Sequence, residues 1–351
     1  GGSDFGRISL QEMSTRLCGS ADLFATEPGR GAPASINFVS CHDGFTLTDL
    51  TRYRSKHNEA NDENNNDGSS VNHSANFGVE GVTDDPDVIA AREQAAMNMI
   101  GMLLLSLGTP MMLAGDEFRN TQDGNNNAYC QDNDITWLKW DWMYSTNKTR
   151  EMRRLETVSR LVALRKSLDL YHHEDFFTRL TQIGLLKPSS RVQWFLPDGT
   201  TPMERDWFDL GVRSFTMRLL SNSEVDVCIV VNGTADDRTF RLPPDTHWTP
   251  KWCSAEINGR RAGHGTQVEE CDLNGDTTVW TQHVPDASEI VLKMVEEVAM
   301  QRTESSTENE ADTIKFAMPV TDHAANGTSS APRDEVSADM PDAPVDDTPD
   351  T

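Results

Sequence analysis

The spacing of apolar residues predicts a strand, a long helix and a second strand, in that order. The run 36–40 (INFVS) predicts the first strand, and 111–114 (MMLA) is typical of a strand buried on both faces. Between them, residues 86–107 carry apolar side chains at three- and four-residue spacing, with Asp85 as a helix N-cap and Pro86 at the first helical position. This order is a βαβ unit, which places the first part of the chain in the α/β class.

A His-Asp pair follows the first predicted strand. His42 and Asp43 stand at its carboxyl end, where parallel α/β sheets and barrels carry their chemistry. The residues alone leave two other interpretations open: a hydrogen-bonded pair that only closes the strand, or part of a metal site in a phosphohydrolase. The second needs further ligands on helices, and the next histidines, His57 and His73, fall in a polar loop instead.

The second half of the chain has a different pattern of apolar and turn residues. An amphipathic helix is predicted over 149–168, and short β-rich runs follow at 214–220, 225–231 and 289–294, separated by Gly, Pro, Asn and Asp. Such runs with turn residues between them predict a small antiparallel domain.

The charge balance limits the partners. The 351 residues carry a formal net charge of −25, whereas nucleic acids and anionic membranes require a basic face. We therefore expect neither a nucleic-acid partner nor a membrane partner, and no run is long and apolar enough to be read as a membrane span. Residues 297–351 are rich in Ser, Thr, Asp, Glu and Pro with almost no aromatics, which predicts a disordered acidic tail.

We expect no metal and no cofactor. The six cysteines are scattered without a CxxC pair, so we interpret them as reduced thiols rather than as disulfides or zinc ligands. Residues 62–68 (DENNNDG) resemble a calcium loop, but Asp67 replaces the turn glycine and His73 stands where a bidentate glutamate is needed. A solvated Asn-rich loop is the favoured interpretation.

Several longer motifs in the sequence resemble those of a known family. Residues 36–47 (INFVSCHDGFTL) resemble the fourth conserved region of the α-amylase superfamily of glycoside hydrolases. The stretches 56–61 (KHNEAN), 103–117 (LLLSLGTPMMLAGDE) and 124–133 (GNNNAYCQDN) narrow the resemblance to the isoamylase-type bacterial glycogen debranching enzymes. The resemblance extends from about residue 19 to about 220, and the later β-rich part is similar to that family's C-terminal domain more loosely.

The resemblance implies a role for the His-Asp pair. Such enzymes hydrolyse α-1,6 branch linkages of glycogen by a retaining mechanism, in which one carboxylate attacks the anomeric carbon and another protonates the leaving oxygen. Asp43 matches a third carboxylate, which stabilises the distorted transition state, and His42 matches a residue that binds the same sugar ring. No stretch of this chain matches the nucleophilic Asp or the general-acid Glu, so we expect the chain to be inactive alone.

The resemblance also implies a domain plan. Residues 1–175 are expected to form the C-terminal portion of a (β/α)8 TIM barrel, with its seventh strand before Asp43 and its eighth at 111–114. Residues 176–296 are expected to form an antiparallel β-sandwich, and 297–351 the disordered tail. The chain would then be the C-terminal fragment of a debranching enzyme.

Several other polar and aromatic residues are candidates for the site. Asn125 and Asn127 are predicted to hydrogen-bond sugar hydroxyls, although a purely structural turn is an equal alternative. Asp116 and Glu117 follow the second predicted strand, and we expect them to play a structural or supporting part. The tryptophans favour core packing over stacking on glucose rings; they are Trp137, Trp140 and Trp142.

The expected partners follow from the resemblance. They are glycogen or another branched α-glucan and, since this chain has one of the three matching carboxylates, an upstream N-terminal half of the same enzyme. A cytoplasmic location is expected. The alternative to a hydrolase is a glucan-binding or partner-binding module without catalysis.

Overall fold

The computed structural model describes residues 8–25, 30–172, 176, 178–179, 191–220, 225–234, 236–243, 248–258, 270–274 and 277–282. The predicted strand at 289–294 and the predicted acidic tail at 297–351 lie outside the described residues.

The described residues form helices first and mainly strands afterwards. The helices are α1 (Leu10–Leu17), α2 (Ala21–Phe24), α3 (Leu47–Leu50), α4 (Pro86–Leu105), α5 (Arg150–Ser167) and α6 (Glu204–Phe208). The strands are β1 (Ile36–Asn37), β2 (Thr109–Pro110), β3 (Thr178–Arg179), β4 (Arg191–Phe195), β5 (Ser214–Leu220), β6 (Val227–Asn232), β7 (Asp237–Arg241), β8 (Trp248–Cys253), β9 (Glu270–Asn274) and β10 (Thr277–Gln282).

Strands β1 and β2 pair in parallel with α4 between them, which confirms the predicted βαβ unit. Ile36 pairs with Thr109 and Asn37 with Pro110. The predicted bounds were wrong, because residues 111–114 form no strand and only two residues of 36–40 do. The Met111 N–H still donates to the Asn37 carbonyl at 2.8 Å, and the chain turns at Ala114 and Gly115.

Helix α4 begins where its local sequence predicts. The Asp85 side chain accepts hydrogen bonds from the N–H groups of Asp87 and Val88, and Pro86 occupies the first turn. At the other end, the Arg165 guanidinium on α5 donates to the carbonyls of Leu104 and Ser106 at 2.5 and 2.8 Å. These carbonyls have no partner within the helix, so Arg165 caps α4 and ties it to α5.

The C-terminal strands form an antiparallel domain, as predicted. One sheet has the order β3-β4-β5-β6-β10-β8, antiparallel at every pairing except β3 with β4. Strands β7 and β9 form a separate antiparallel pair.

Strand β6 shows how the layers are arranged. Its side chains alternate between two cores. Val227 and Ile229 join the core that also contains the buried residues of α4 and α5. Cys228 and Val230 join a second core with Phe240 of β7. The larger sheet is therefore covered by helices on one face and by the smaller sheet on the other.

The predicted boundary near residue 175 falls in a stretch that the structure describes only in part. The helices before it and the sheet after it share one apolar core, and all described residues belong to one compact unit, 1–298. The two-domain division remains a prediction.

Helix α4 is 20 residues long and apolar enough to cross a membrane by length and composition alone. Its contacts are those of a core helix instead. Ala96, Met97 and Ile100 are buried in the main core, and Glu93 is held in a buried ion pair with Arg154 of α5.

Three charged side chains, from α4, α5 and the segment after β2, form a buried ionic cluster. Arg154, which is fully buried, donates from Nε and Nη2 to Glu93 Oε2 at 3.2 and 2.8 Å. Arg119 donates to Glu93 Oε1 at 2.7 Å. Burial alone would raise the pKa of Glu93, but the two guanidinium groups outweigh that effect and lower it.

We predict that R154M lowers the free energy of unfolding by roughly 3 kcal/mol, because it leaves the buried Glu93 carboxylate with one of its two guanidinium partners, Arg119. The exposed pair Lys148–Glu156 provides the control, since K148M should cost less than about 1 kcal/mol. Urea unfolding of both variants measures this. Similar losses of unfolding free energy in R154M and K148M would contradict the prediction.

Candidate active site

His42 and Asp43 lie on an exposed turn beyond the carboxyl end of β1. Their side chains are 87% and 82% exposed, and His42 Nε2 lies 3.5 Å from Asp43 Oδ2. A pair that only closed a strand would be buried and fully hydrogen-bonded. This exposure favours a pair that meets a ligand.

The backbone just after the pair is fixed. Gly44 adopts a φ of +93°, a left-handed conformation that favours glycine, and its N–H donates to the Asn126 carbonyl at 3.0 Å. Thr46 then caps α3 by accepting a hydrogen bond from the Asp49 N–H. The turn therefore runs directly into a short helix.

Asp116 lies beneath this turn and contacts both of its ends. The Ser40 hydroxyl donates to Asp116 Oδ2, and the Leu47 N–H donates to Oδ1 at 2.9 Å. The carboxyl group is buried, which raises its pKa to about 6 despite these two donors. The structural role predicted for Asp116 fits this placement, and Glu117 accepts a hydrogen bond from the Gly115 N–H.

A second buried carboxylate ties α3 to the loop 120–131. Asp49 accepts hydrogen bonds from the Thr121 hydroxyl, the Gln122 N–H and the Thr46 hydroxyl. Burial raises the pKa of Asp49, and these hydrogen bonds offset part of that effect. The loop carrying Asn126 is thereby fixed relative to the turn.

Buried amide side chains join the loop 120–131 to the loop 56–72. Asn58 Nδ2 donates to Asn126 Oδ1, and the Asn126 N–H donates to Asn58 Oδ1, both at 2.9 Å. Asp67 Oδ2 accepts from Asn61 Nδ2 at 2.7 Å and from Asn127 Nδ2 at 2.9 Å. The loops support one another through side chains rather than through a strand ladder.

This network bears on the two interpretations of Asn125 and Asn127. Asn125 is 1% exposed and its Nδ2 donates to Asn61 Oδ1 at 2.8 Å, so its side chain is not available to a sugar and the structural alternative is favoured. Asn127 is only half-buried, but its amide is held by Asp67. A role for Asn127 in sugar binding stays a prediction.

Sequence reasoning did not single out Asn58, Asn61 or Asp67 as part of this support. The recurrence of Asn and Asp in two separate loops was the available signal. It does not show which asparagine meets which, because pairs that join the two loops, such as Asn61–Asn125 and Asp67–Asn127, lie 64 and 60 positions apart along the chain.

The calcium-like loop is organised by an ammonium group. Lys56 Nζ donates to the carbonyls of Asn66, Asp67 and Gly68 at 3.2, 2.6 and 3.2 Å. A cation from the protein itself thus lies at three consecutive carbonyls. Among the described residues, no group of three or more His, Cys, Asp or Glu is placed to hold a metal ion.

Glu80 braces the segment that precedes this network. Partial burial would raise its pKa, but the N–H groups of Arg54 and Ser55 together with the side chains of Asn76 and His57 outweigh that effect and lower the pKa to about 2. The His57 N–H in turn donates to the Gly124 carbonyl at 2.8 Å.

The three tryptophans do not all belong to the core. Trp137 is 55% exposed, and its indole N–H donates to Asp132 at 2.9 Å. Trp140 is also exposed on one side, although it packs on Phe118 with ring centroids 4.7 Å apart, and half-buried Trp142 packs on the same ring. The preference for core packing was therefore wrong for Trp137.

Comparison with known proteins shows which sequences this chain is similar to. No protein-family model matches this chain. It is 44% identical over 210 residues to the glycogen operon protein GlgX homolog of Mycobacterium bovis, a match that covers 59% of this chain and 28% of that protein. It is 37% identical over 270 residues to the glycogen debranching enzyme of Pectobacterium atrosepticum, covering 76% and 38%.

This chain is similar in sequence to bacterial glycogen debranching enzymes, which confirms the resemblance drawn from the sequence. The chain spans about a third of the length of these relatives.

Two solved structures resemble the fold. A pullulanase from Anoxybacillus, crystallised with maltotetraose, gives a TM-score of 0.47 at 17% identity, covering 78% of this chain and 32% of that one. A mutant pullulanase from Paenibacillus barengoltzii gives 0.49 at 15% identity, covering 78% and 34%. These structural likenesses are weak, and the resemblance to debranching enzymes rests on the sequence matches.

We predict that Asp116 makes stability depend on pH. Its pKa rises from the ordinary value of 3.8 to about 6 on folding, so the folded state holds a proton that the unfolded state has lost between these values. The free energy of unfolding should therefore fall as pH rises from about 4 to about 6, by roughly 3 kcal/mol at most. In D116N this component should vanish. Urea unfolding of both proteins across that range measures it, and parallel pH profiles would contradict the prediction.

Proposed function

We propose that this chain is part of an enzyme that hydrolyses α-1,6 branch linkages of glycogen or a related branched α-glucan by a retaining mechanism. The observation that carries the proposal is the 37–44% identity to proteins named as glycogen debranching enzymes or their homologues. The exposed His42–Asp43 turn supports it, because a sugar ring can reach both side chains.

Asp43 is proposed to stabilise the transition state. A retaining glycosidase develops positive charge on the sugar ring, and a carboxylate fixed beside that charge lowers its energy. His42 is proposed to bind the same ring, since its imidazole lies on the same turn within 3.5 Å of Asp43.

The matching partner is proposed to be the N-terminal half of such an enzyme. In the described residues β1 pairs with β2 alone, and Ile36 and Phe38 are 60% and 54% exposed. An apolar groove runs beside this edge between α1 and α4, lined by Leu17, Met99 and Met102. Parallel strands are normally covered on both faces, and the relatives contain about twice as much further chain as they share with this one.

We expect the purified chain alone to release no reducing ends from glycogen, because it has no residue assigned as nucleophile or general acid. Adding a debranching-enzyme relative from which the matched segment has been deleted should restore release, and D43N should abolish it. Steady release by the chain alone would refute the need for a partner. No release on mixing would refute docking at the β1 edge.

The turn itself can be tested with a matched pair of glycines. Gly44 and Gly78 have φ values of +93° and +91°, and a Cβ at either meets no atom within 4 Å. G44A and G78A should therefore lower the free energy of unfolding by a similar amount, about 1–2 kcal/mol. We expect only G44A to weaken binding of a branched dextrin in calorimetry. Equal affinities for both variants would argue against a role of the His42–Asp43 turn.

A second candidate function is glucan binding without catalysis, which exposed Trp137 favours, since aromatic faces pack well against sugar rings. Cys18, Cys41 and Cys130 are free thiols, and a cytoplasmic location is proposed for either function.

Co-sedimentation with glycogen tests this binding function. W137A should reduce the bound fraction severalfold, whereas F208A, which removes an equally exposed aromatic side chain from α6, should not. Loss of binding in D43N but not in W137A would assign binding to the His-Asp turn instead.

A further inference from the structure

Two buried hydrogen bonds span the segment that carries His42 and Asp43. Ser40 precedes the pair by two residues and Leu47 follows it by four, and both donate to the same carboxyl group. One side chain thus bonds to both ends of an eight-residue segment, in which His42 and Asp43 are exposed and the Gly44 N–H also bonds to Asn126.

The backbone of Asp116 is itself held by a side chain of α5. The Arg154 guanidinium donates to the Asp116 carbonyl at 3.4 Å and to the Thr48 hydroxyl at 3.2 Å. Because Arg154 also pairs with Glu93, Asp116 is connected to both α4 and α5. The position of the turn is therefore set by the rigid helices of the core.

We infer that Asp116 is a positioning residue for Asp43, acting through Ser40 and Leu47 to hold the segment 40–47 in the conformation that presents Asp43 to a sugar. The inference rests on the role proposed for Asp43. It assigns a function to a buried carboxylate in the segment that follows β2.

The chemistry of the contacts predicts which substitution preserves the turn. In D116N the amide oxygen still accepts from the Leu47 N–H, and the amide nitrogen donates to the Ser40 hydroxyl, which rotates to accept. D116A removes both contacts. E117Q is the control, because Glu117 is the neighbouring carboxylate and bonds to Gly115 outside the segment.

Amide hydrogen exchange on the full chain, followed by NMR, measures the effect directly. In D116A we expect exchange at Gly44 and Leu47 to speed up at least tenfold, while the amides of α4 retain their protection. D116N and E117Q should resemble the unmodified protein. Unchanged exchange at Gly44 in D116A, or an equal increase throughout α4, would overturn the inference. If D116A does not fold, S40A breaks one of the two contacts, and the same exchange at Gly44 decides.

The affinity for a branched dextrin tests whether holding the segment 40–47 matters for binding. We expect at least tenfold weaker binding in D116A and recovery in D116N. Faster exchange in D116A with unchanged affinity would overturn the positioning role. A dextrin that fails to bind the unmodified protein would instead refute the proposed binding role, while the exchange experiment would still test whether Asp116 holds the turn.

Discussion

The buried ion pair between Glu93 and Arg154 connects the core helices to the residues that support the His42–Asp43 turn. Arg154 is fully buried, so its charge needs Glu93, and its remaining N–H groups reach the backbone of Asp116 and the side chain of Thr48. Two charges removed from water are tolerated only when nearly every donor and acceptor is used. This requirement fixes α4, α5 and the backbone at Asp116 relative to one another.

The support for the His42–Asp43 turn is polar throughout. Carboxylates hold its ends and the start of α3, while amide pairs such as Asn58–Asn126 hold the loop that receives the Gly44 N–H. Polar networks of this kind are costly when incomplete and specific when satisfied, because each group accepts only a partner of the right geometry. Loops built this way can stay ordered without strand pairing, which leaves the turn accessible.

The elements predicted correctly are those whose signals are local. Asp85 and Pro86 mark the start of α4 within two residues, and β5 has the predicted bounds because turn residues enclose an apolar run. The second strand of the βαβ unit was misplaced, since the ladder at Thr109–Pro110 depends on where β1 lies. The burial of Asn125 was also beyond prediction, because its partner Asn61 lies 64 positions away along the chain.

The environments of two aspartates explain why one is assigned to substrate and the other to support. Asp43 is 82% exposed on a turn with a left-handed glycine after it, so its carboxylate is available to a ligand. Asp116 is buried, and both of its oxygens accept hydrogen bonds from the segment that carries Asp43. A carboxylate that holds the backbone cannot also follow a changing sugar ring. In the proposed function, separating the two tasks lets the buried group fix the geometry while the exposed group meets the charge that would develop during glycoside hydrolysis.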